Sequence, residues 1–165
     1  MKGKLEIAGR EKFDGTIHAL QSAGRSPITG FDLPPLLSRD FRTMEREHFD
    51  TEGHGTWPEL SPPYATWKEV KYPGKPILQG TGALYAALTR EGGADEYETG
   101  DTFTIKVGGE VGRRGAAHMR PHGNRPARKP IDPTPKDVDR FGDTARKQVR
   151  RKVSKLGIDH NGSSD

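Results

Sequence analysis

Residues 73–84 read PGKPILQGTGAL, and Gly74-Lys75 followed by Gly80-Thr81-Gly82 is the raw material of a phosphate loop. A P-loop wraps phosphates in backbone amides from Gly-x-x-x-x-Gly-Lys, and the Ser or Thr that follows meets magnesium. Here Glu69 stands at the first glycine position and Pro76 follows Lys75, so one glycine and the metal ligand are missing. A dinucleotide fingerprint fails too, because Tyr85 replaces its third glycine and no strand-like run leads into it. The stretch reads instead as a Pro-Gly turn feeding a helix that Thr81 caps.

His118 and His122 have the i,i+4 spacing of a zinc pair on a helix. Pro121 lies between them, Gly123 follows, and no carboxylate lies in the segment, so they read as loop histidines, one packed beneath the loop. Glu45, Glu47 and Asp50 resemble paired carboxylates, but beside Arg46 on a helix they read as a solvated face. Ser38, Ser61 and Thr81 lack the setting of a nucleophile. Cysteine is absent, which removes disulfides and thiolate metal sites. No catalytic residue, cofactor or metal is expected.

The remaining chemistry is cationic. Arg113, Arg114, Arg120, Arg125, Arg128 and Lys129 fall between Glu110 and Asp132 with no acid among them. The guanidinium fork suits phosphate, so these side chains could contact DNA. The plainer reading is that some of them tie a loop to acidic surfaces of the same or a neighbouring subunit. Phe141 is the lone aromatic in this block and the helix after it, which leaves little to stack on single-stranded bases.

The elements that must position these residues are sparse. Hydrophobic residues make up 30% of 165, with 21 Gly and 13 Pro, and the mean hydropathy is -0.87. A thin core and long loops follow, with help from neighbouring subunits. The net charge is +4 and the pI about 9.4, which permits nucleic acid or an acidic partner without requiring either. The first residues carry no apolar signal core, and no apolar run approaches the ~20 residues that span a bilayer. A cytosolic location, away from membranes, is expected.

Along the chain, residues 4–9 predict a short strand and 13–20 a helix. Leu37, Phe41, Met44 and His48 predict an amphipathic helix over 35–49, with Glu45, Arg46 and Glu47 on its wet side. Residues 50–77, broken by many Pro and Gly, predict a long irregular loop. A short helix follows Thr81 and ends near Gly92-Gly93. Residues 101–107 (DTFTIKV) form the best strand, which Gly108-Gly109 would turn into a partner. Residues 112–130 read as irregular. Pro135 opens a helix to about Leu156, striped by Val138, Phe141, Ala145, Val149 and Val153. The expected organisation is an extension over 1–34, a domain over 35–156 and a disordered tail over 157–165.

Taken in order, WPELSPPYATWK (57–68), PGKPILQGTGAL (73–84), AHMRPHG (117–123) and RPAR (125–128) resemble the phage virion morphogenesis family, the Mu-like tail completion proteins. The likeness covers roughly residues 35–155. The chain departs from the pattern at Gly115-Ala116-Ala117, where a Tyr-Ala pair is usual, and at Lys129, which separates Arg128 from Pro130. The resemblance implies a structural, non-enzymatic role in finishing the tail and joining it to the capsid, in host cytoplasm during assembly and then in the virion. It implies an α+β fold, a small antiparallel sheet packed with helices and long loops, assembled as a homo-oligomeric, often hexameric, ring with other tail or connector proteins. Trp57, Leu60, Tyr64, Trp67 and Tyr72 are then the interface candidates. Trp57 and Trp67 fit equally well as lids on the chain's own core. If DNA crosses the ring, Arg113, Arg114, Arg120, Arg125, Arg128 and Lys129 are the side chains to face it. The alternative is a small basic DNA-binding protein acting through 113–129.

Overall fold

Two prolines start helix α1 (Pro34–Asp50), at positions where no amide is needed for the helical ladder. In this computed structural model residues 30–99 and 102–155 are described. The expected strand at 4–9, the helix at 13–20 and the tail at 157–165 lie outside them. The described residues form five helices and a two-stranded antiparallel sheet, a small α+β fold. After α1 come α2 (Pro62–Lys71), α3 (Ala83–Thr89), β1 (Asp95–Thr99), β2 (Thr102–Lys106), α4 (Gly109–His118) and α5 (Pro135–Lys155).

Helix α1 matches its predicted span but not its predicted faces. Met44, Glu45, His48 and Phe49 are all buried. The inward stripe therefore takes in Glu45, which is fully covered rather than solvated. Helix α2 replaces part of the expected loop at 50–77. Pro62 and Pro63, which look like breakers, occupy its first turn, where they assist. Helix α3 begins after Gly82, which adopts φ 74, so the predicted Thr81 cap gives way to a left-handed glycine. Thr81 Oγ1 still accepts the Ala83 amide at 3.3 Å.

Strand β2 lies inside the predicted 101–107, but its partner precedes it. Asp95 pairs with Lys106, Tyr97 with Thr104 and Thr99 with Thr102. Gly108-Gly109 leads into α4 rather than a hairpin, so part of the expected irregular basic segment is helical. Gly109 takes φ 61, and a Cβ on Gly112 would sit 2.0 Å from the Val107 carbonyl oxygen. These glycines allow helix and strand to touch. Helix α5 follows its predicted start. Thr134 and Asp137 cap it reciprocally, the Asp137 carboxylate accepting the Thr134 amide at 2.9 Å and Thr134 Oγ1 accepting the Asp137 amide at 3.3 Å. Ala145 and Val149 of its stripe are buried, whereas Val138 is half exposed.

Among the described residues the core is thin, as the composition implies. Phe31, Leu33, Ala145 and Val149 seal the start of α1 against α5. Phe49, Trp57, Ile77 and Leu88 form the second cluster, with Phe49 edge-on to both Trp57 and Tyr85 at 5.5 Å. Gly53 takes φ 71 and lies under the indole, where a Cβ would meet Trp57 Cδ1 at 2.3 Å. Much of the α1–α5 contact is polar. Arg140 donates to Glu47 at 2.9 Å, Thr144 Oγ1 donates to Asp40, and Gln148 donates to the Phe31 carbonyl at 3.0 Å.

Candidate functional site

A cleft of about 820 Å³ opens between α2, the turn after it, α4 and the basic segment at 120–128. One wall is aromatic. Tyr64 and Trp67 sit three residues apart on α2, the spacing that places side chains on one face, and their rings stack at 5.2 Å and 25°. Tyr72 meets Trp67 edge-on at 6.1 Å, and the Lys71 ammonium lies 5.1 Å from the Trp67 ring centre. Tyr64 remains 50% and Trp67 47% exposed. The other wall is lined by Arg114 and His118 from α4 and by Arg120, His122 and Arg125 from the following segment, the arginines carrying its charge.

The predicted candidates divide between this cleft and the interior. Tyr64, Trp67 and Tyr72 come together on one wall, with Leu60 beside them and half buried against the core. Trp57 does not join them. It is 8% exposed and donates its indole N–H to the Lys129 carbonyl at 3.1 Å, so it lids the chain's own core and offers no free ring to a neighbour. Arg128 is also corrected. It is buried, with Nε donating to the Pro58 carbonyl at 2.7 Å and its terminal nitrogen to that of Glu59. Its guanidinium is occupied holding two segments together and is not presented to DNA. Lys129 pairs with Asp132 at 3.3 Å, and Arg114 pairs with Glu110. Arg113, Arg120 and Arg125 are exposed, Arg113 outside the cleft.

The electrostatics of the cleft are positive. Burial first, and then the charges of Arg125 and Arg128, hold His118 below the usual imidazole range. His118 is therefore neutral at physiological pH, and the arginines supply the charge. Glu59 and Glu110 line the same space, Glu110 being neutralised by Arg114. The His118–His122 pair is not a helical metal face, since α4 ends at His118 and His122 forms a backbone bridge with Arg125. Among the described residues no three His, Asp or Glu side chains could hold a metal ion. Nor is any helix among them long and apolar enough to cross a membrane.

Sequence reasoning missed a second group, buried between α1 and α5. Both Glu45 carboxyl oxygens and His48 Nδ1 are buried without hydrogen-bond partners. Burial first, and then the Asp137 charge, raise Glu45 to about 8. Burial would raise Asp137 too, but its bonds from Thr134 and the charges of Arg140 and His54 hold it below the usual carboxylate range. His48 Nε2 lies 2.8 Å from the Lys129 carbonyl, an acceptor, so Nε2 carries the hydrogen. The signal was the adjacency of Phe49 to His48, which widens the inward stripe to include position 45. Glu45 does not line the cleft. No protein-family model, curated protein or solved structure matches the chain significantly.

Proposed function

We propose that this chain is a non-enzymatic structural protein of a phage or prophage virion, of the virion morphogenesis type, which completes the tail and helps form the head–tail junction. The observation that carries the reading is the stacked Tyr64–Trp67 pair, half in water on the wall of a large cleft. Rigid aromatic surface left uncovered in one chain is what assembly interfaces use as anchors. The two small apolar clusters among the described residues support it, since so small an interior gains stability by shielding surface between subunits. The ordered segments that resemble the tail completion proteins supply the kind of assembly. Its partners are further copies of itself and other tail or connector proteins.

Light scattering on the full chain, alone and with purified tails, tests this. The expected result is a discrete oligomer in solution or one that forms on the tail. A strict monomer that leaves tails unbound overturns it.

The second reading is a small basic DNA-binding protein. It is favoured by the placement of Arg120 and Arg125 across the cleft from Tyr64 and Trp67, which joins cations to stacking rings. It predicts DNA affinity falling steeply with salt, and the absence of binding at low salt removes it.

A further inference from the structure

A second groove, of about 580 Å³, lies between α1, α3, β2, α4 and the start of α5. Leu37 and Phe41 of α1, Leu88 of α3, Phe103 and Ile105 of β2 and Phe141 of α5 line it. None of the residues around it has a charged or polar side chain. Such a space offers water no side-chain partner, and it denies the lining side chains their packing contacts.

The groove lies between the two apolar clusters. Leu37 packs on the cluster of Phe31, Leu33, Ala145 and Val149. Leu88 belongs to the cluster of Phe49, Trp57 and Ile77, and Phe41 packs on it. All three also line the groove. An apolar insert here would join two small cores into one.

The sequence holds an insert of that kind just upstream. In FDGTIHAL, residues 13–20, Phe13, Ile17 and Leu20 recur at steps of four and three. Among residues 1–29 and 156–165 it is the one stretch with three bulky apolar residues at that spacing. The described chain begins at Gly30, next to Phe31 and Leu33 of the first cluster. Residues 21–29 make the connection, and nine residues reach roughly 30 Å when extended. The stretch of α1 along the groove, from Leu37 to Met44, is only about 10 Å long. So short a tether holds the stripe at an effective concentration on the order of millimolar, which favours its own groove over that of a second copy.

We propose that Phe13, Ile17 and Leu20 fill this groove in their own chain. The extension expected over 1–34 is then part of the domain's core, and the boundary at residue 35 falls inside one packed unit. The stacked Tyr64–Trp67 pair that carries the assembly reading lines the cleft and not this groove. The two inferences therefore stand or fall separately.

The chain has no cysteine, so introduced pairs report proximity without background. Full-length Ile17→Cys with Ile131→Cys puts one thiol on the stripe and one on the groove's lining, at a position 37% exposed. Ile17→Cys with Val70→Cys is the control, because Val70 lies on α2 and does not line the groove. Under mild oxidation in dilute solution the first pair should close an intrachain disulfide about tenfold faster than the control or more. Ile17→Ala and Phe13→Ala should each raise the unfolding equilibrium constant about tenfold or more in urea melts. Equal closure rates in the two pairs would overturn the proposal. A disulfide formed between chains would put the stripe in a neighbour's groove and overturn the same-chain contact. Unchanged stability in both alanine variants would also overturn it, since a side chain that fills a core groove is not removed without cost. Each of these failures leaves the light-scattering test of assembly unaffected.

Discussion

Trp57 donates its indole N–H to the carbonyl oxygen of Lys129 at 3.1 Å. His48 reaches the same oxygen at 2.8 Å. One carbonyl of the basic segment thus fastens that segment to α1 and to the turn that follows it. Trp57→Phe keeps most of the apolar volume and deletes one donor, so a loss of about 1–2 kcal/mol is expected in chemical denaturation. Trp57→Ala should cost about 3–5 kcal/mol, as large core truncations do. Full stability in Trp57→Ala would show that the ring is not part of the core.

Glu45 is raised from 4.5 to about 8 by burial and by Asp137. The folded state therefore keeps this carboxyl protonated where the unfolded chain ionises it. Stability is unaffected below pH 4.5, falls as pH rises toward 8, and stays low above that. Glu45→Gln removes the titration. Its stability relative to wild type should be nil near pH 4 and grow to several kcal/mol near pH 8, because each tenfold difference in proton affinity between the folded and unfolded chain is worth about 1.4 kcal/mol. Urea melts of both proteins across this range make the measurement, and a difference independent of pH would refute the assignment.

Arg128 acts as an internal staple. Its guanidinium bonds the carbonyls of Pro58 and Glu59 from the far side of the loop. Arg128→Ala should destabilise by roughly 3 kcal/mol, the scale of lost charge-assisted bonds. Arg128→Lys should recover less than half of this, because a lysine has no planar fork to span two carbonyls. Thermal melts separate the three proteins, and a melting temperature unmoved by Arg128→Ala would free this side chain for external contacts.

His118 reports the field of the cleft. Burial and the charges of Arg125 and Arg128 hold it below 6.5. The unfolded chain takes up this proton more readily, so the stability His118 contributes is lost as pH falls below 6.5. In Arg125→Gln the NMR titration midpoint of His118 should move up toward the ordinary imidazole value. A midpoint that does not move would place Arg125 away from the cleft wall.

The helices with a clean periodic stripe were legible in the sequence. Leu37, Phe41, Met44 and His48 located α1, and Ala145 and Val149 located the buried side of α5. Helix α2 was not legible, because Pro62 and Pro63 look identical whether they end a helix or begin one. Gly108-Gly109 was ambiguous for the same reason, since paired glycines permit a hairpin or a close helix–strand contact. Glu45 was misplaced because its charge suggested water, whereas the position of Phe49 on the same stripe pulls it inside.

Local chemistry, then, determined that the fold is small, mixed, poor in interior and rich in arginine and in a few large rings. Those properties depend on residue type and short-range spacing, which a sequence displays directly. Tertiary structure alone decided which ring is covered and which is free, and which arginine is a staple and which faces a cleft. The two walls of that cleft lie far apart along the chain, and only the packing of α2, α4 and the basic segment on one core brings them face to face.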